Sequence, residues 1–186
     1  MFDDFEKKGR LSLEFKDKDG LLLINKQKQL LKQKVIYEKV KEFDGLGFKN
    51  ILLAGHSAGG WASIALYSYN PEIIKGAIAF NPAFAGKLVT NKDKFWSAIR
   101  MREIEKMKLT NNLNIIVYGH DRDEFENPST LTFLSKLKKI KFIDLSSSLC
   151  EGKTMTGGDH GMSLNKCFAV QEKKDENILN YLREVF

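Results

Sequence analysis

Between residues 55 and 60 the chain reads Gly55-His56-Ser57-Ala58-Gly59-Gly60, a serine in a Gly-x-Ser-x-Gly pattern. A serine hydroxyl becomes a strong nucleophile only when a base takes its proton and donors receive the charge on the attacked oxygen. For the base there are three histidines, His56, His120 and His160. His160 lies in Gly157-Gly158-Asp159-His160-Gly161, a glycine loop from which an imidazole can hang. His120 opens the acidic stretch His120-Asp121-Arg122-Asp123-Glu124-Phe125-Glu126, which holds carboxylates able to orient a histidine. The glycines at 55–60 follow neither the Walker spacing nor the three-glycine dinucleotide spacing, so a phosphate loop is disfavoured.

The chemistry depends on the elements that carry these residues. Asn50–Ala54 is an apolar run suited to a buried strand, and the small residues from Trp61 to about Tyr69 suit a helix, broken by Asn70-Pro71. Ser57 therefore falls on a sharp strand-to-helix turn, where a strained backbone lifts the hydroxyl clear of the sheet. Gly55 and Gly59 leave that turn unobstructed. The helix N-terminus behind it offers N–H groups and positive potential, with Ala58 N–H the expected oxyanion donor. Further strands are expected at Gly76–Phe80, Asn114–Tyr118 and Lys141–Leu145, and helices at about 92–107, Ser129–Leu137 and Asp175–Val185. Upstream, Leu11–Phe15 and Leu21–Ile24 read as two short strands around an Asp19-Gly20 turn, followed by an amphipathic helix, Gln27–Phe43. Strands alternating with helices predict an α/β fold, a mostly parallel sheet with helices on both faces, in one domain over residues 1–186.

Gly55-His56-Ser57-Ala58-Gly59-Gly60-Trp61 followed by Ala77-Ile78-Ala79-Phe80-Asn81-Pro82-Ala83-Phe84 resembles an α/β-hydrolase of the dienelactone-hydrolase-like group, over about residues 27–170. The resemblance implies a Ser-His-Asp triad in the chain order serine, acid, histidine. Both Asp121 and Asp123 stand where the family places its acid. The family's spacing of Asp, one residue, then an aromatic aligns Asp123 with Phe125. His160 then becomes the base, while His56 fills a variable elbow position and His120 packs in its loop. The implied activity is cleavage of an ester or related acyl bond in a small molecule through an acyl-enzyme, with no metal or cofactor. The alternative is a non-catalytic member of the fold used as a binding or structural module.

In the same family several strands precede the elbow strand, and a loop there gives a second oxyanion donor. Here 49 residues precede Asn50 and contain no His-Gly-Gly-Gly run. N-terminal strands that are reduced or absent are therefore expected, with weak turnover and self-association through the N-terminal sheet edge. Residues 83–112 are expected to form a cap, with Phe84, Phe95 and Trp96 as its apolar side chains.

Composition narrows the alternatives. Hydrophobic residues make up 42% and charged residues 29%, the balance of a globular chain. The net charge of +6 comes from lysines interspersed with acids, which describes a solvated surface better than a nucleic-acid site. No apolar run reaches the roughly 20 residues of a membrane span. The acidic start Met1-Phe2-Asp3-Asp4-Phe5-Glu6 does not read as a signal peptide, so a cytoplasmic location is expected. Cys150 and Cys167 flank His160; paired, they would brace its loop, and reduced, they would be two partly buried thiols.

Overall fold

Gln, Lys, Leu and Glu, all good helix formers, dominate the chain from residue 25 to residue 42, with no breaker between them. In the computed structural model, which describes residues 18–84, 94–110, 112–137, 139–146, 149–150, 153–154, 159–171 and 173–186, this region is a single helix, α1 (Lys18–Gly45). The strand expected at Leu21–Ile24 is thus corrected to helix. Four consecutive apolar residues fit either state, and Gly20 falls in the first turn, where it interrupts little. The companion strand expected at Leu11–Phe15 lies outside the described residues. Helix α1 ends where Gly47 takes φ +93°, and the Phe48 amide donates back to the Phe43 carbonyl at 3.0 Å.

Four strands follow: β1 (Ile51–His56), β2 (Ile74–Phe80), β3 (Ile115–Gly119) and β4 (Ile140–Asp144). They form a fully parallel sheet in the order β1-β2-β3-β4. The connecting helices are α2 (Ala58–Tyr69), α3 (Lys94–Leu109) and the single turn α4 (Thr132–Ser135), shorter than the helix expected at Ser129–Leu137. Right-handed crossovers between adjacent strands place all three helices on one face. There Ala77, Ala79, Ile115 and Val117 pack with Trp61, Ile64, Met107 and Leu134, joined by Leu30 and Val40 of α1.

The alternate residues Ile78, Ile116 and Tyr118 point to the other face. The 3-10 helix (Asp159–Leu164) and α6 (Lys174–Val185) cover it; between β4 and α6 the chain also forms a short hairpin, β5 (Leu149–Cys150) and β6 (Lys153–Thr154), and α5 (Lys166–Gln171). Leu145, Met162 and Tyr181 complete that second cluster. The Tyr181 hydroxyl accepts the Ala77 N–H at 2.9 Å and donates to the Asn114 carbonyl at 2.6 Å. It lies directly over Gly76, where any Cβ would collide with it. Helices therefore cover both faces, as the α/β reading requires. Among the described residues β1 pairs on one side only, with β2, and Ala54 is exposed. No helix among them is long and apolar enough to cross a membrane. Of the apolar residues expected in a cap, Phe84 is buried against Trp61, ring centroids 5.4 Å apart. The side chains of Phe95 and Trp96 lie outside the described residues.

One buried carboxyl ties three helices together. Glu103 of α3 accepts the Trp61 indole N–H of α2 and the Gln33 amide of α1, the latter at 3.2 Å. Burial pushes its pKa up from 4.5 to about 7, against the two hydrogen bonds. The folded chain thus keeps a proton that the unfolded chain releases from about pH 4.5 upward. Its stabilisation is complete at acid pH and is lost as pH rises toward 7, by about 3 kcal/mol for a gap of this size. Glu103→Gln removes the titration. A flip of Gln33, whose Oε1 is buried without a partner, presents an acceptor to the new amide. In denaturant melts at pH 5 and pH 8, Glu103→Gln should gain about 2–3 kcal/mol on the parent between the two, since part of the loss already falls below pH 5. An unchanged difference would show that Glu103 does not titrate in this range.

Candidate active site

Ser57 sits between the last residue of β1 and the first of α2, with φ 56° and ψ −124°. Positive φ in a non-glycine residue costs about 1–3 kcal/mol and persists only where the surroundings impose it. Here they do. Ser57 N–H donates to the Phe80 carbonyl at 2.9 Å, and its own carbonyl accepts the Trp61 and Ala83 amides, each at 3.0 Å. The glycines that permit this turn are Gly55 and Gly60. A Cβ on Gly55 would run into the Gly59 backbone, and one on Gly60 would come within 2.9 Å of the Gly55 carbonyl. At Gly59 a Cβ meets nothing within 4 Å, so the expected role of Gly59 passes to Gly60.

His160 enters from the 3-10 helix beyond β4. Its Nε2 lies 2.7 Å from Ser57 Oγ, and its Nδ1 lies 2.9 Å from both carboxylate oxygens of Asp123. A carboxylate only accepts, so Nδ1 carries the proton and Nε2 presents its lone pair to the serine hydroxyl. The proton on Oγ can therefore pass to Nε2 without rearrangement, and the cation so formed faces a carboxylate.

Asp123 leaves the end of β3 in the loop that holds both aspartates. It is buried, with Oδ1 accepting the Phe125 amide at 2.9 Å and Oδ2 accepting the Asn81 side-chain amide at 3.2 Å. Asp121, the other carboxylate considered from sequence, is exposed and does not reach His160. His120 is buried and its Nδ1 accepts the Arg122 amide at 3.1 Å, a contact within its own loop.

Three residues take part to which the sequence analysis gave no role in the site. Asn81, at φ 43° just beyond β2, had signalled only a strand end, yet its side chain steadies Asp123. Phe125 places its ring 4.2 Å from the His160 ring, centroid to centroid. His56, assigned to a variable elbow position, has Nε2 2.7 Å from the His160 carbonyl. Cys167 in α5 is disulfide-bonded, and Cys150 is the one other cysteine in the sequence. That bond closes the stretch that contains His160.

No protein-family model matches the chain, and no curated protein sequence does. Solved structures match its fold. A monoacylglycerol lipase from Paleococcus ferrophilus aligns at a TM-score of 0.58 and 14% identity, over 83% of this chain and 74% of its own. A predicted CIB-like hydrolase from Thermoplasma acidophilum aligns at 0.51 and 16%, over 80% of this chain and 58% of its own. Est1E from Butyrivibrio proteoclasticus gives 0.51 and 17%, over 72% and 62%. This chain thus spans less than two thirds of the last two. At these identities the likeness is one of fold, and the fold is that of the α/β-hydrolases.

Proposed function

We propose that this chain is a serine hydrolase that cleaves an ester or related acyl bond of a small molecule. The observation that carries the reading is the hydrogen-bonded series Ser57 Oγ, His160 Nε2, His160 Nδ1 and the Asp123 carboxylate. His160 takes the Ser57 proton as Oγ bonds to the acyl carbon, and Asp123 stabilises the imidazolium. The carbonyl π electrons move onto oxygen, facing Ala58 N–H at the start of α2, where the helix dipole favours negative charge. Collapse of this adduct expels the alcohol, which leaves with the proton from His160. Water, deprotonated by the same imidazole, then releases the acid and restores Ser57. Each step uses groups of the chain and the two reactants. The dienelactone-hydrolase-like subtype belongs to the same proposal and rests on the residues 55–61 and 77–84 quoted above.

A fluorophosphonate probe tests the reading without a known substrate, since it bonds to activated serines. The adduct should map to Ser57 by mass spectrometry and be missing in Ser57→Ala. A folded parent chain that stays unlabelled would favour the binding-module alternative.

A further inference from the structure

His56 precedes the nucleophile, at a position of the Gly-x-Ser-x-Gly pattern open to any residue. Here it reaches 104 residues along the chain, its Nε2 lying 2.7 Å from the main-chain oxygen of His160. A carbonyl cannot donate, so Nε2 of His56 carries the proton. The two histidines thus hold opposite tautomers, Nε2–H on His56 and Nδ1–H on His160, with ring centroids 5.0 Å apart.

We infer that His56 is a positioning residue, whose side chain fixes the backbone from which the proposed base hangs; this rests on the acyl-transfer reading above. Among the described residues, the other side chains that contact His160 act on its ring. Asp123 sets the rotation through Nδ1, and Phe125 packs at 4.2 Å. Neither contact holds the His160 main chain. The His56 hydrogen bond does, and it originates on the last residue of β1, directly before Ser57. One strand end therefore holds both the hydroxyl and the imidazole that takes its proton. Any shift of β1 moves the two together, and the 2.7 Å separation of Oγ and Nε2 is kept.

Two substitutions separate donor from bulk. His56→Phe keeps a ring and removes the donor, whereas His56→Gln places an amide N–H near the position of Nε2. Against a small activated ester, His56→Phe should lower kcat about tenfold with KM within about twofold, because misplacement of the base affects the chemical step. His56→Gln should return kcat to within about threefold of the parent. Equal losses in both variants, or none in His56→Phe, would overturn the proposal.

Nitrogen-15 spectra of the imidazoles in the full chain give a readout independent of turnover. The parent should show His56 protonated at Nε2 and one sharp set of His160 signals, and His56→Phe should broaden or split that set. His56 found protonated at Nδ1 in the parent would overturn the proposal even if His56→Phe misfolds, and so would His160 signals that ignore the substitution in a folded variant. A parent with the expected spectra but no turnover and no phosphonate adduct would overturn the hydrolase reading and leave the tie between the histidines standing.

Discussion

Ser57→Ala should slow hydrolysis of a small activated ester by about 10⁴-fold or more while the melting curve and circular dichroism stay those of the parent. The two halves of that expectation come from different parts of the structure. The side chain contributes a hydroxyl whose partner is His160, so its loss removes the proposed nucleophile and leaves a small gap at a half-exposed position. The turn itself is held by backbone bonds to Phe80, Trp61 and Ala83, which alanine retains at the same positive φ. Steady-state turnover on enzyme purified from a host lacking background esterase is the measurement. Turnover equal to that of the parent would exclude Ser57 as nucleophile, whatever its geometry.

Asp123→Asn should cost about 10³–10⁴-fold in kcat, and Asp121→Asn less than about twofold. Asp123 receives donors from His160, Asn81 and Phe125, two on the oxygen shared with His160 and Phe125 and two on the oxygen shared with His160 and Asn81. An asparagine offers one accepting oxygen and an NH₂ group, so one of those donors faces another donor. Both carboxylate oxygens lie 2.9 Å from His160 Nδ1, so in either flip the NH₂ group sits against that nitrogen and favours the wrong tautomer, with the proton on the nitrogen that faces Ser57. Asp121, exposed at the rim of the same loop, has no such duty. Comparable losses in both variants would mean that neither carboxylate orients the imidazole.

The parts of the site legible in sequence are those whose chemistry is written in contiguous residues. Gly55–Gly60 between an apolar run and a small-residue helix announces the turn, and the loop after Tyr118 announces a carboxylate. The residues alone left Asp121 and Asp123 open; only the family spacing to Phe125 favoured Asp123, which the structure buries while Asp121 stays exposed. Asn81 and His56 were missed for a different reason. Each acts on a partner far along the chain, 42 residues for Asn81 and 104 for His56, and no local pattern records such a contact. The fold followed the same division. Strands buried on both faces, such as Ile115-Ile116-Val117, read clearly as apolar runs, whereas Leu21–Ile24 was equally a strand or a helix and its surroundings decided for helix. The pairing of Cys167 depended on the distance between α5 and the hairpin, which spacing alone does not set.

The winding order of the sheet has a kinetic consequence. Each of the three strands after β1 bonds to the strand before it in the chain, through crossovers that bring together residues as distant as Leu52 with Gly76 and Ile78 with Ile116, and such non-local pairing is slow to form. The proposed reactive pair spans more of the chain still: its hydroxyl and imidazole come from positions 103 residues apart. The proposed triad is therefore complete only once the segment beyond β4 has docked. The reverse holds for local opening. Release of that terminal segment would separate His160 from Ser57 and would also uncover Ile78, Ile116 and Tyr118 of the sheet.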